Sequence, residues 1–140
     1  MLGRFLILGM IISGFNANSQ ELMADPSLIK SIYFGGGSYY IDVHQAEELK
    51  TFIESFPDIQ NYRVTVHSHT DNIGSAEFNQ MLSKMRSLRA IEKLVEFNVP
   101  KELIEIRDFG EFNPVYDNST LEGRLRNRRV DVILWPIEQL

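Results

Sequence analysis

Four stretches of the chain concentrate or alternate apolar residues in the manner of β-strands. They are residues 28–34, the segment around Val64 and Val66, residues 104–109 and residues 129–135. The last stretch, RVDVILW, is almost continuously apolar, which predicts a buried strand inside the sheet. Three consecutive glycines at 35–37 follow the first stretch and open no phosphate-binding motif, so they predict a turn.

Two longer stretches repeat apolar residues at spacings of three and four, which predicts amphipathic helices. The first covers residues 43–56, with Asp42 as a candidate N-cap and Pro57 as its end. The second begins between Ser75 and Glu77, with Ser75 as its candidate N-cap. Its apolar stripe is expected to face the core, and it consists of Met81, Met85, Leu88, Ile91 and Val95.

A shorter helix is predicted over residues 120–127, capped by Ser119 or Thr120, although Gly123 weakens its helical propensity. Strands that alternate with helices indicate an α/β domain of the α+β sandwich type. We expect a mixed four-stranded sheet with helices packed on one face. Connections through helices favour parallel neighbours, while the last strand can run in either direction.

The N-terminal residues have the features of a secretory signal peptide. Arg4 precedes an apolar run at 5–12, and small residues stand at Ala17 and Ser19. Eight apolar residues are too few to span a bilayer, which needs about 20. We expect a signal peptide at 1–19 cleaved after Ser19, a lead-in at 20–27, a domain at 28–136 and a tail at 137–140. An uncleaved anchor or a short buried helix is the alternative.

The composition of the chain disfavours some classes of function and excludes sites that need cysteine. The chain has 14 basic and 19 acidic residues, a formal charge of −5, which disfavours binding to nucleic acid. It contains no cysteine, so these residues offer no disulfide, no thiolate metal site and no lipid-modified cysteine. With the predicted signal peptide, these features indicate an exported, acidic domain.

The most informative polar residues follow the second strand. The loop predicted at 68–75 holds Asp71, and Gly74 suits a left-handed turn. On the next helix, Asn79 and Arg86 are seven residues apart and share one polar row. Because helical side chains lean toward the N-terminus, Arg86 points toward the loop of Asp71. The two charges could form a plain surface salt bridge, or a site for a zwitterion.

Two enzymatic alternatives start from the same loop. If the strand continued, His67, His69 and Asp71 would share a face and could bind a metal. Ser68 could act as a nucleophile, but its neighbours on a strand point to the opposite face, so a structural role is favoured. The four arginines at 124, 126, 128 and 129 could bind an anion, although salt-bridged arginines are commoner in an acidic domain.

Four motifs occur in order along the chain: HTDNIG at 69–74, N-x-x-LS-x-x-R at 79–86, FGEFNP at 109–114 and GR-x-x-NRRVDV at 123–132. Together they resemble the C-terminal peptidoglycan-binding domain of the OmpA family, over residues 28–136. The resemblance implies a βαβα-type domain that binds the cell wall non-covalently, without catalysis and without a cofactor.

The resemblance also implies a ligand, the meso-diaminopimelate residue of the peptidoglycan stem peptide. Asp71 would bind its ammonium group and Arg86 its carboxylate. Asn79 would order the loop, and the residues that line or support the pocket would be Thr70, Leu82 and Arg128. Diaminopimelate keeps an amine and a carboxylate on one free stereocentre, whereas lysine lacks that carboxylate and would leave Arg86 unpaired.

The chain departs from the family pattern at Ser68, where a glycine usually stands, and at 35–37, where the family has an acidic residue. Because no lipidated cysteine or membrane span accompanies the domain, we expect a periplasmic, wall-associated protein that reaches the outer membrane through an envelope partner. Two other functions remain open: a metal-dependent cell-wall hydrolase using His67, His69 and Asp71, and a partner domain without wall binding.

Overall fold

The structure is a computed structural model that describes residues 25–112 and 114–137. The predicted signal peptide at 1–19 and its cleavage site lie outside the described residues. So do residues 20–24 of the lead-in and residues 138–140 of the tail.

Seven regular elements follow one another in the order predicted from the sequence. They are β1 (Ile29–Tyr33), α1 (Val43–Glu54), β2 (Tyr62–His69), α2 (Ala76–Glu96), β3 (Ile104–Gly110), α3 (Leu121–Asn127) and β4 (Arg129–Pro136). Single turns of 3₁₀-helix precede three of the strands, at Pro26–Leu28, Ile59–Asn61 and Lys101–Leu103.

The four strands form one mixed sheet in the order β1-β4-β2-β3. β2 and β3 are parallel and are joined through α2, as the crossover rule predicts. β4 runs antiparallel to both of its neighbours, β1 and β2. The last strand is therefore an inner strand, and its first six residues are buried. The predicted α/β fold with a mixed four-stranded sheet is confirmed.

One face of the sheet and the two longer helices enclose the hydrophobic core. The sheet contributes valines from its two inner strands, and each helix contributes an apolar pair. These residues are Val64, Val66, Val130, Val132, Leu49 and Ile53 of α1, and Ala90 and Leu94 of α2. Burying their apolar surface stabilises the fold by about 25 cal/mol per Å² of area removed from water, and it holds the helices on that face.

The predicted helix caps are present. Asp42 accepts a hydrogen bond from the backbone N–H of Gln45, and Ser75 accepts one from the N–H of Phe78. For α3, the cap is Thr120, whose side chain accepts from the N–H of Gly123. Each of these side chains satisfies a backbone donor that has no partner within its helix.

The predicted core-facing stripe of α2 is wrong. Met81 is 57% exposed, Leu88 and Val95 are also exposed, and Met85 and Ile91 are only half-buried. The buried face carries mainly small and polar side chains: Asn79, Leu82, Ser83, Arg86, Ser87, Ala90 and Leu94. Small residues allow α2 to approach the sheet closely, and the polar residues find partners there, such as Asp108 for Ser87.

Two smaller predictions also need correction. β2 does not give way at Ser68 to the predicted loop but continues through His69, because β3 pairs with it to that point despite the polar side chains. In α1, Val43 stands at the helical spacing of the predicted apolar face but is 72% exposed, because it occupies the first turn, beyond the edge of the core.

Candidate functional site

The charged residues singled out in the sequence meet at the carboxyl end of β2. Three connections converge there: the glycine-rich loop after β1, the loop between β2 and α2, and the junction of α3 with β4. Their contact is direct, because Arg86 of α2 bonds to the glycine-rich loop and to the last residue of β2, and Arg128 of the junction bonds to Asp71 in the loop after β2.

Arg86 is fully buried and binds three backbone carbonyl groups. Its Nε donates to the oxygen of Ser38 at 2.8 Å, Nη1 to that of His69 at 2.9 Å, and Nη2 to that of Gly35 at 3.1 Å. Its guanidinium also lies over the Phe34 ring, 4.9 Å from the centroid. Arg86 therefore joins the glycine-rich loop to the end of β2.

Burial lowers the pKa of Arg86 to about 10, an effect that the Asp71 charge opposes and the Arg128 charge reinforces. Because this pKa is still well above neutrality, the side chain carries its positive charge under physiological conditions. No carboxylate lies within ion-pairing distance of it among the described residues, so the buried charge is balanced by carbonyl dipoles and by more distant groups.

Asp71 is also buried, with both carboxylate oxygens engaged. Its Oδ1 accepts a hydrogen bond from the N–H of Ile73 at 3.0 Å, which closes the turn before α2. Its Oδ2 accepts one from Nε of Arg128 at 2.6 Å. The plain Asp71–Arg86 salt bridge considered from the sequence is therefore not formed, and the ion-pair partner of Asp71 is Arg128.

Arg128 is held at the end of α3 by its own backbone. Its N–H donates to the carbonyl of Arg124, and its carbonyl accepts from the N–H of Phe34. The guanidinium lies against Gly36, where a Cβ atom would stand 3.5 Å from Cζ. Its side chain remains 14% exposed, and its side-chain hydrogen bond within the described residues is the one from Nε to Asp71.

The other three predicted supporting residues, besides Arg128, are all buried. Thr70 is buried and donates from Oγ1 to the carbonyl of Asp71, while its N–H bonds to the carbonyl of Gly110. Asn79 is buried in the first turn of α2, and its Nδ2 has no hydrogen-bond partner in the described part of the chain. Leu82 is buried one turn further along the helix.

The sequence interpretation missed the role of the glycine-rich loop. It correctly treated 35–37 as a turn, and Gly37 has a positive φ of 67°. However, the carbonyls of Gly35 and Ser38 are two of the three acceptors of Arg86. Every residue type has a backbone carbonyl, so residue identity does not indicate which carbonyls accept these hydrogen bonds. Only the run of glycines could have indicated this loop from the sequence.

The enzymatic alternatives find no support in the geometry. Over residues 25–112 and 114–137, no group of three His, Cys, Asp or Glu side chains is placed to hold a metal ion. His67 bonds through Nε2 to the hydroxyl of Thr65. Ser68 is fully buried, and its hydroxyl has no hydrogen-bond partner among the described residues, so no base activates it.

The arginine cluster is mostly engaged elsewhere. Arg126 pairs with Glu122, Arg129 with Asp131, and Arg124 donates to the carbonyl of Asn118. Only Arg128 of the four bonds to Asp71.

Comparison with known proteins supports the resemblance that the four motifs indicate. A model of the OmpA family matches residues 33–128. The chain belongs to the OmpA family. Outer membrane porin F of Pseudomonas aeruginosa is 37% identical over 93 residues, which are 66% of this chain and 25% of the porin. The outer-membrane lipoprotein YfiB of the same organism is 40% identical over 72 residues, 51% of this chain and 43% of the lipoprotein.

A third OmpA-family relative is the peptidoglycan-binding protein ArfA of Mycobacterium tuberculosis, 32% identical over 103 residues. That alignment covers 74% of this chain and 32% of ArfA. The chain thus spans between 25% and 43% of the length of these three relatives. Within the described ranges, no helix has the length and apolar character needed to cross a membrane.

Solved structures share the fold. The peptidoglycan-associated lipoprotein of Burkholderia pseudomallei superimposes with a TM-score of 0.65 at 22% identity, covering 76% of this chain and 90% of that one. The C-terminal domain of Helicobacter pylori MotB gives a TM-score of 0.69 at 19% identity, covering 76% and 84%. Both have the OmpA-like arrangement of a mixed sheet and helices.

Proposed function

We propose that this chain binds cell-wall peptidoglycan non-covalently and without catalysis, through the meso-diaminopimelate residue of the stem peptide. The observation that carries the proposal is the meeting of one carboxylate, Asp71, with two arginines, Arg86 and Arg128, at the end of β2. Membership of the OmpA family supports it, as does similarity to a relative named for peptidoglycan binding.

The free stereocentre of diaminopimelate presents an ammonium group beside a carboxylate. Asp71 attracts the ammonium group, and the positive charge of Arg86 favours the carboxylate. Thr70, Asn79, Leu82 and Arg128 support the pocket. Nδ2 of Asn79, which has no hydrogen-bond partner among the described residues, is a donor that a ligand can satisfy. Each charge-assisted hydrogen bond contributes about 1.5–3 kcal/mol, so a few contacts select the residue with moderate affinity.

The proposed location is the periplasm, in contact with the wall. Outer-membrane relatives such as porin F and YfiB support an association with the cell envelope. We propose that any link from these residues to the outer membrane runs through an envelope partner.

Co-sedimentation with purified sacculi tests the proposal. The wild-type chain should pellet with sacculi that contain diaminopimelate, and Asp71→Asn should weaken binding by about tenfold or more, because it removes the charge that attracts the ammonium group. Asp58→Asn is the matched control, since that exposed carboxylate makes no side-chain capping hydrogen bond and should leave binding unchanged.

Other outcomes of the same experiment would reject the proposal. Release of soluble muropeptides from the sacculi would favour the hydrolase. A folded wild-type chain that stays in the supernatant would favour a partner domain without wall binding. Equal pelleting of Asp71→Asn and the wild type would show that the site is elsewhere.

A further inference from the structure

The outward face of α2 carries a row of exposed apolar side chains. Met81, Leu88 and Val95 follow one another at intervals of seven residues, and all three are exposed. At about 100° per residue they lie within about 40° of one another, on the side of the helix opposite the buried Arg86. Scattered apolar residues are ordinary on a surface, but a continuous row at this spacing is typical of a helix that packs against another helix.

The charges beside the row are arranged symmetrically about Leu88. Lys84 precedes it by four residues and Glu92 follows it by four, and both are exposed within about 40° of the row. If a second α2 lies antiparallel with Leu88 on a two-fold axis, Lys84 of each copy stands level with Glu92 of the other. A parallel pair would bring like charges together. The charge pattern therefore fits an antiparallel second copy of this chain.

We infer that two copies of this chain associate through the outward faces of α2, antiparallel and with Leu88 on the two-fold axis. Apolar side chains then meet at the same levels: Leu88 with Leu88, Met81 with Val95, and the half-buried Met85 with the half-buried Ile91. The inference goes beyond the proposed function, because this face lies opposite Arg86 and contains none of the residues proposed to bind the wall.

Glu92 can take part although it already has a partner. It accepts hydrogen bonds from Nη1 of Arg89 in its own chain, at 3.0 and 2.9 Å. An ionised carboxylate has about four lone-pair sites, so a lysine from the second copy can donate to it as well. The two ion pairs at the rim then fix the direction and register of the helices, while the apolar row supplies most of the attraction.

The contact is small, so the dimer is expected to be weak. The row spans about 21 Å from Met81 to Val95, which is short for an interface when stable ones bury about 1,600 Å². We expect a dissociation constant of about 10–100 µM, so that unfolding studied near 1 µM concerns the monomer. Because α2 begins beside the loop of Asp71, the antiparallel arrangement places the two candidate sites at opposite ends of the pair.

Sedimentation equilibrium of the exported chain, from about 1 µM to about 500 µM, tests the inference. Wild type should change from monomer to dimer over this range. Leu88→Glu should raise the dissociation constant by about tenfold or more, because it places two carboxylates together on the axis. Leu121→Glu is the matched control, since it changes an exposed leucine of α3 and should leave the dimer unchanged. Circular dichroism verifies that both variants are folded.

Exchange of the two charges tests the direction of the helices. Lys84→Glu and Glu92→Lys should each weaken the dimer by about tenfold, because each creates two like-charge contacts. The double variant should recover association, and so should a mixture of the two single variants, because opposite charges face each other again in both cases. A folded double variant that stays as weak as the single ones would exclude the antiparallel arrangement.

Cysteine cross-linking covers the case in which Leu88→Glu fails to fold. The chain has no cysteine of its own, so each introduced thiol is unique. Under mild oxidation, Leu88→Cys should link to itself across the axis, whereas Val95→Cys should link to Met81→Cys and not to itself. Wild type that stays monomeric, assembly beyond a dimer, or cross-linking of Val95→Cys to itself in preference to Met81→Cys would overturn the inference. None of these outcomes bears on wall binding, which the sacculus assay decides.

Discussion

The carboxylate of Asp71 accepts a 2.6 Å hydrogen bond from Nε of Arg128, which lies 57 residues further along the chain. This ion pair joins the loop before α2 to the junction of α3 with β4. With Arg86 beside it, the three side chains carry one net positive charge in a largely buried setting. Such a site attracts an anionic group while Asp71 retains a position for a cationic one.

Replacing Arg86 by methionine should destabilise the fold by about 2–4 kcal/mol. The substitution leaves three buried carbonyls without their donor, at about 1–3 kcal/mol each, while relief from burying a charge offsets part of the loss. Arg86→Lys should fall between, because one ammonium group cannot reach all three oxygens. Urea unfolding with an unchanged m-value measures these differences.

Arg89→Met is the matched control for Arg86→Met. Arg89 is on the same helix and pairs with Glu92 at the surface, and its guanidinium lies near the ring of Tyr39. Its loss should cost under about 1 kcal/mol. Equal urea midpoints for Arg86→Met and wild type would contradict the conclusion that Arg86 stabilises the fold by joining the glycine-rich loop to the end of β2.

The two faces of α2 offer a second prediction. Leu94→Ala should cost about 2–5 kcal/mol, because Leu94 is fully buried in the core and its truncation leaves a cavity. Leu88→Ala should cost less than about 1 kcal/mol, since Leu88 is exposed although its spacing suggested a core position. Thermal or urea unfolding of both variants decides it, and a larger loss for Leu88→Ala would restore the face predicted from the sequence.

The face of α2 that is buried is the feature of the fold that could not be predicted from the sequence. Element order, the caps at Asp42 and Ser75, and the inner position of β4 depend on local patterns that the sequence displays directly. The buried face of α2 depends on partners elsewhere in the chain. Ser38 is 48 residues from Arg86, and nothing in the helix itself indicates that its carbonyl would receive the guanidinium.

The candidate site shows the same division. The motifs brought Asp71, Asn79 and Arg86 into one region, and the structure places all three there. The pairing of Asp71 with Arg128 rather than Arg86 required the three-dimensional position of the junction before β4. Sequence spacing on a helix relates residues of that helix to one another, but not to a segment that packs beside it.

Gly123→Ala should destabilise the fold by about 3 kcal/mol or more. A Cβ at this position would stand 1.7 Å from the carbonyl oxygen of Asp117, so α3 or the preceding loop must shift. Gly35→Ala is the matched control, because a Cβ there meets only the Ser38 side chain at 3.8 Å. Circular dichroism during thermal unfolding compares the two, and equal midpoints would show that α3 adapts freely.

The N-cap of α1 should add a component to unfolding in acid. The hydrogen bond from the backbone N–H of Gln45 is the main cause that lowers the pKa of Asp42 below its ordinary value of 3.8, and the Gln45 side chain adds to it. The unfolded chain therefore binds this proton more readily than the folded one. The stabilisation is present above 3.8 and is lost as the pH falls through the lower pKa of the folded state.

Asp42→Asn should reduce this dependence, because asparagine caps a helix about as well as aspartate but does not titrate. The difference in unfolding free energy between about pH 6 and about pH 3 should be smaller in Asp42→Asn than in wild type, as measured by urea unfolding at both values. Asp58→Asn controls for the removal of one exposed carboxylate that caps nothing through its side chain. An Asp42→Asn variant that loses as much stability in acid as wild type would mean that protonation of Asp42 does not weaken α1.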